Sequence, residues 1–265
     1  MSEIKEITVP IMAEKHQNGE KPEYLFWVSS MGAFDDRYKK VAQAFVKILN
    51  WLEVDFAVLG TEEMSSGDAA RRAGNEMLFQ MQALQNIEIF NQYGVKKILT
   101  CDPHAYNTFK NEYGDFGGHY EVVHHTEFLE KMMDDGKLQM SGQQFEGMTV
   151  TYHDPCYLGR GNGVYEAPRR IIEKLPVKLV EMPRNRSFAL CCGAGGGQMF
   201  KEAEPGNKEV YEERTNEAMN TGAKIVVTAC PYCMTMITDG IKYKDKEEEV
   251  QNLDVAELVA RAIGV

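Results

Sequence analysis

Long apolar runs are what this 265-residue sequence most plainly lacks. No stretch approaches the ~20 consecutive apolar residues that span a bilayer. The opening residues, MSEIKEITVPIMAEKHQNGEKPE, also lack the apolar core of a signal peptide. Both absences lead us to expect a cytoplasmic protein, associated with membranes only through partners and never by direct insertion. Positive charge is short as well: 29 Lys and Arg stand against 40 Asp and Glu, a net charge of −11. A surface of that sign argues against nucleic acid and anionic lipid as partners. Neither a G-x-G-x-x-G fingerprint nor a ferredoxin-type C-x2-C-x2-C run occurs, and low-complexity tracts are absent. What is present is ordinary globular composition, 43% hydrophobic and 26% charged, with six cysteines. In a reducing compartment those thiols are not expected to form structural disulfides. Metal binding or redox chemistry becomes the better expectation.

The chain is written twice. Ser30 and Ser65 lie 35 positions apart, as do Cys156 and Cys191, and the two pairs are offset by 126. LTCDPHAYNTF (99–109) resembles TACPYCMTMI (228–237), which sets Asp102 over Cys230 and Ala105 over Cys233, each at an offset of 128. The flanks YGVKKILTCDP and TGAKIVVTACP agree too, and EVVHHTEFLEKM and VQNLDVAELVARA follow in the same relative place. Nearly constant offsets at four anchors mark a duplicated unit.

The elements fit an α/β unit. EYLFWVSS, VDFAVLG, KKILT and MTVTYHDPC read as short buried strands. DDRYKKVAQAFVKILNWLE spaces Val41, Ala44, Phe45, Ile48 and Leu49 helically, with Asp35 and Asp36 available as caps. DAARRAGNEMLFQMQALQNIEIFNQYG reads as one or two helices ending at a glycine. Strands alternating with helices predict two tandem homologous repeats, each a small, mostly parallel sheet flanked by helices. The expected boundaries are an N-terminal extension at 1–23, a first repeat at 24–135 and a second at 148–265, joined by the polar stretch 134–147. In such units functional loops gather beyond the carboxyl ends of the strands. Ser30, Asp102, Cys156 and Cys230 all follow predicted strands.

The second half carries Cys156, then Cys191-Cys192, then Cys230-Pro-Tyr-Cys233. Structural zinc sites favour two compact local pairs and four ligands, whereas here there is one C-x2-C, two distant positions and a fifth sulfur. Five converging thiolates suit a multi-iron group better than one tetrahedral ion. Cys230-Pro-Tyr-Cys233 alone would read as a dithiol redox motif, but that leaves three cysteines unexplained. Gly193 and residues 195–197 would let backbone N–H groups approach an anionic cluster.

HDPCYLGR, CCGAGGGQMF and ACPYCMTM, in that order and spacing, resemble the cysteine-rich (CCG) domain family. That family includes the B-type and D-type subunits of heterodisulfide reductase and related iron–sulfur oxidoreductase subunits. The resemblance runs from about residue 24 to the end of the sequence. It implies a [4Fe-4S] cluster, non-cubane in some members, with Cys156, Cys191, Cys192, Cys230 and Cys233 as its ligands. Similar members carry cysteine where this chain has Ser30, Ser65, Asp102 and Ala105, so the first repeat is expected to keep the fold and to have lost its cluster. Cys101 is then a spectator.

The resemblance also implies an oxidoreductase subunit. Electron transfer through one cluster is expected rather than full heterodisulfide reduction, which uses two facing sites. The implied partners are a ferredoxin-like iron–sulfur subunit or a flavoprotein, with a disulfide or quinone-linked acceptor. The alternatives are a scaffold subunit with a structural cluster, or a zinc or dithiol protein. Among other residues, His153 reads either as a hydrogen-bond donor or proton shuttle at the cluster, or as a strand-end histidine satisfied by backbone. His124 and His125 lack an evident acidic or cysteine partner and read as structural. His104 is expected to face the emptied first site. Arg71 and Arg72 read as solvated or salt-bridged, and the 15 methionines as core filling.

Overall fold

Among the described residues eight short strands, all paired in parallel, form two sheets of four. This is a computed structural model that describes residues 7–195, 197–202 and 205–265. In the first sheet β1 (Tyr24–Trp27), β2 (Phe56–Ala57), β3 (Lys97–Thr100) and β4 (Glu121–His124) lie in the order β2-β1-β3-β4. In the second, β5 (Thr149–Tyr152), β6 (Lys178–Leu179), β7 (Ile225–Thr228) and β8 (Gln251–Asp254) repeat that order as β6-β5-β7-β8. The register repeats as well: Leu25 pairs with Ile98 in one sheet and Val150 with Ile225 in the other. The central strands are buried on both faces, as Leu25, Phe26 and Trp27 and then Val226 and Val227 show, because helices cover both sides. Among the described residues no helix is long and apolar enough to cross a membrane.

The helix Tyr38–Trp51 buries Val41, Phe45, Ile48 and Leu49, and Asp35 Oδ1 accepts the Tyr38 N–H at 2.7 Å ahead of its first turn. The second long helical tract is two helices, Asp68–Arg72 and Glu76–Tyr93, the latter closed by Gly94 at φ 66°. The strand expected to run into Ser29 and Ser30 stops at Trp27, and a short helix, Ser29–Phe34, takes over. The stretch 134–147 is polar in composition yet tucks Leu138 and Phe145 into the core.

The repeats dock by exchanging equivalent helices. Tyr38–Trp51 of the first packs on Val255–Ile263 of the second, and Glu166–Glu173 of the second packs on His125–Asp134 of the first. One buried core runs through both sheets, with the Phe45 ring 6.1 Å from Phe128 and 5.7 Å from His125. Arg37 closes the outer edge of this contact on Glu257, with N–O distances of 2.9 and 2.7 Å.

Each of the two equivalent C-terminal helices begins with a capping box, His124 with Glu127 and Asp254 with Glu257. His125 Nε2 lies 3.0 Å from Asp254 Oδ1, and both side chains are fully buried. The sequence offered His125 no acidic partner because Asp254 is 129 positions away and comes close only when the repeats dock. Burial lowers the His125 pKa to about 3 and raises that of Asp254 to about 7. The imidazole is therefore neutral, and its Nε2–H donates to the carboxyl oxygen.

Asp254→Ala removes a helix cap and leaves a buried N–H unpaired. It should destabilise the chain by about 2–4 kcal/mol. Asp254→Asn keeps an acceptor for both donors and should lose about 1 kcal/mol or less. Urea unfolding of the two variants measures the difference.

Candidate metal centre

The carboxyl ends of β5 and β7 aim two of the three thiol-bearing loops at one point. β5 runs into His153-Asp154-Pro155-Cys156, where Arg169, itself buried, grips Asp154 in a fork of 2.7 and 2.8 Å. Asp154 Oδ2 also accepts the Arg186 N–H at 2.8 Å, which ties this loop to the segment leading to Cys191. β7 ends at Thr228, two residues before Cys230, and Pro231 then opens the helix Pro231–Tyr243, which places Cys233 in its first turn.

The five sulfurs form a continuous string. Cys191 lies within hydrogen-bonding reach of both Cys156 and Cys192. Cys192 Sγ is 3.4 Å from Cys233 Sγ, and Cys233 in turn neighbours Cys230. Cys192, Cys230 and Cys233 are buried, while Cys156 and Cys191 are partly exposed. So many thiols in contact cannot all ionise unaided. Contact with Cys156 and Cys192, with help from the Gly193 N–H, pulls the Cys191 thiol far below its usual range. The same contacts and burial push Cys156, Cys192 and Cys233 upward. Burial would raise Cys230 too, but hydrogen bonds from Cys233 and His104 outweigh it and bring its pKa to about 6.

His153 stands behind the string. A ring nitrogen of His153 and the sulfurs of Cys192 and Cys233 all lie within 4.8 Å of one another. Arg214 Nε donates to His153 Nδ1 at 2.9 Å, so the ring proton sits on Nε2. Burial, followed by the Arg214 charge, pushes this histidine well below its ordinary pKa and keeps it neutral. Its Nε2 is buried and has no partner. A buried, unsatisfied N–H beside a cluster of soft sulfur donors fits an anionic iron–sulfur group. The ring is oriented by a guanidinium rather than by the backbone. Arg214 gave no signal in the sequence, where it reads as one more charge in YEERTNEAMN.

The turn at Cys191-Cys192-Gly193 has its twin in Ser65-Ser66-Gly67. The Gly193 N–H donates to Cys191 Sγ at 3.3 Å, and the Gly67 N–H donates to Ser65 Oγ at 3.2 Å. Both glycines are left-handed, at φ 94° and 87°. A Cβ on Gly67 would stand 2.6 Å from Phe79, and one on Gly193 would stand 3.3 Å from Val210 Cβ. The glycine requirement at 193 thus comes from its φ and from the neighbouring helix Val210–Asn220, not from room around the sulfurs. A Cβ on Gly195 would meet nothing, and Gly196 lies outside the described residues.

The first repeat has put its equivalent positions to other use. Asp102 caps the helix Pro103–Asn111 by accepting the His104 N–H at 2.9 Å, and burial raises its carboxyl pKa to about 7. Ala105 is fully buried in the core. Ser30 lines a cavity of about 460 Å³ together with Val28, Phe34 and Glu63. The Glu63 carboxylate accepts the N–H groups of Val28 and Ser29 at 3.0 and 2.6 Å. Cys101 is buried in the main core, and burial pushes its thiol well up.

Arg71 and Arg72 are salt-bridged as expected, Arg71 to Glu112 at 2.8 Å and Arg72 to Asp68 at 3.0 Å. His104, expected to face the first repeat's own positions, lies between Tyr157 and Tyr232 of the other repeat, at centroid distances of 4.4 and 4.5 Å. Asp68, which holds its Nδ1 at 2.8 Å, was not picked out from the sequence. The available signal was its place directly after Ser-Ser-Gly.

Sequence comparison matches the cysteine-rich domain to residues 26–110 and 150–238. A probable iron–sulfur-binding oxidoreductase, FadF, of Bacillus subtilis is 48% identical over 98% of this chain and 37% of its own length. The EtfAB:quinone oxidoreductase of Syntrophomonas wolfei is 44% identical over 93% of this chain and 35% of its own. The D-type subunit of the dihydromethanophenazine:CoB–CoM heterodisulfide reductase of Methanosarcina acetivorans is 37% identical over 86% of this chain and 57% of its own. The chain thus spans little more than a third of the length of the first two. Among solved structures, a hypothetical protein from Helicobacter pylori shares the fold, with a TM-score of 0.53 at 10% identity over 93% of this chain and 50% of that one.

Gly193→Ala forces a side chain into the left-handed region and should destabilise by about 1–2 kcal/mol. Gly195→Ala meets open space and should stay within about 0.5 kcal/mol of the parent. Thermal unfolding of the metal-free protein checks both.

Proposed function

The chain belongs to the cysteine-rich domain family, with a match in each half, and from that premise we propose that it is the iron–sulfur portion of an oxidoreductase, moving electrons through one cluster. On this reading the domain copies occupy 24–135 and 148–265 after an extension at 1–23. Cys156, Cys191, Cys192, Cys230 and Cys233 hold the cluster. The supporting observation is the unbroken string of sulfur contacts from Cys156 to Cys230, with an unpaired His153 Nε2–H against it. A [4Fe-4S] group, non-cubane as a fifth thiolate favours, supplies one-electron chemistry when bound.

The protein's own residues do the rest. The Gly193 and His153 N–H groups offset thiolate charge, and Arg214 fixes the tautomer that lets His153 donate. Burial of Cys192, Cys230 and Cys233 keeps water from the inner sulfurs. Partly exposed Cys156 and Cys191 leave a side open to an electron partner. Serine, a capping aspartate and a core alanine at the first repeat's positions support one cluster rather than two. A single site favours electron relay over heterodisulfide cleavage. The names of two relatives suggest a quinone-linked or disulfide acceptor, and on this reading the donor is a flavoprotein or a ferredoxin-like iron–sulfur subunit. On this reading the protein works in the cytoplasm, reaching membranes through those partners.

Zinc held by the thiols is the second reading, although His153, whose Nδ1 accepts from Arg214, has no free lone pair to join them. Anaerobically purified protein should contain about four irons and as many sulfides per chain. Zinc in their place would overturn the iron reading, and about eight irons would overturn the loss of the first site. Cys192→Ser should lose most of the iron, while Cys101→Ser should keep it all.

A further inference from the structure

His104 belongs to the repeat that has lost the five-thiol pattern, yet its side chain lies against the thiols of the other. Its Nδ1 is 2.8 Å from Asp68 Oδ2. Its remaining ring nitrogen is within hydrogen-bonding reach of Cys230 Sγ. Asp68 is held in turn by Arg72 Nε at 3.0 Å, and the Arg72 guanidinium lies 5.5 Å from the centre of the Tyr157 ring. Asp68, Arg72 and His104 all come from the first repeat, whereas Tyr157, Cys230 and Tyr232 come from the second. His104 and Asp68 are both buried. The gap between the repeats here, lined by Asp68, His104, Ala194 and Tyr232, is about 10 Å³, room for one water at most. A histidine placed only to pair with a carboxylate would commit one nitrogen. This one presents its second nitrogen to a sulfur, so both are engaged.

We propose that the degenerate repeat completes the metal centre of its twin: His104, backed by Asp68, donates an N–H to Cys230 Sγ and is a positioning residue for that sulfur. The proposal rests on Cys230 being a cluster ligand. An N–H donor withdraws electron density from a ligating sulfur and stabilises the more negative, reduced cluster. The first repeat has thus exchanged its own ligands for a hold on the electronics of the remaining site.

The test uses the full chain loaded with iron anaerobically, with the midpoint potential followed by EPR. In His104→Leu the reduced-to-oxidised ratio at the wild-type midpoint should fall about tenfold, a 59 mV negative shift for a one-electron couple. His104→Gln, which keeps an N–H, should recover at least half of that shift. Asp68→Asn should move the potential the same way by less. An unchanged potential in His104→Leu at wild-type iron content overturns the proposal. If that variant misfolds, an unchanged potential in Asp68→Asn overturns it instead.

Iron-free protein carrying 15N-histidine gives an independent readout. Cys230→Ala should shift the His104 ring resonances, and their indifference would remove the contact itself. Wild-type protein that takes up no iron would defeat the cluster reading, and the proposal with it, while the resonance shift still reports the contact.

Discussion

The docking of two equivalent halves through exchanged helices is the constraint on which the rest depends. Each half sends one helix, Tyr38–Trp51 or Glu166–Glu173, to the other's last, Val255–Ile263 or His125–Asp134. Parallel strands already place every connecting loop that matters at one end of each sheet. Docking then brings those two ends together, so that residues after β3 touch residues after β5 and β7. Asn107 accepts from Asn162 at 3.0 Å on the same seam where His104 meets Tyr157 and Tyr232. The buried His125–Asp254 pair holds this arrangement from behind, and it has no counterpart within either half alone.

Charge sets the second condition. A chain of net charge −11 gathers five thiols at one place, and nearby N–H groups and cations must compensate for whatever ionises there. Compensation comes from three directions. Gly193 offers a backbone N–H, His153 a neutral imidazole N–H fixed by Arg214, and His104 an imidazole fixed by Asp68. Burial lowers His104, but its bonds to Asp68 and Cys230 outweigh that and bring it to about 10. The two histidines therefore differ in charge because one is backed by a cation and the other by an anion.

Much of this was legible in the sequence, because duplication leaves a periodic trace. Nearly constant offsets announced two α/β units, and the strand-ending positions of Cys156 and Cys230 pointed to where the thiols gather. What stayed hidden belongs to docking. No periodicity reports that residue 125 meets residue 254, or that His104 reaches across the seam while holding Asp68 of its own half. The buried ends of 134–147 were hidden for a related reason, since Leu138 and Phe145 are isolated apolar residues in a polar stretch. β2 and β6 pair over only two residues each, although β2 is buried and β4 and β8, at the opposite edges, run to four.

The matched turns at Ser65 and Cys191 carry one more implication. An oxygen and a sulfur accept the same N–H, at 3.2 and 3.3 Å, from glycines in the same conformation. The backbone of this loop is thus indifferent to whether the atom it presents can bind a metal. Scaffold and donor atom vary separately: one duplicated turn keeps its shape around serine and cysteine alike, so its form does not tell which chemistry it carries.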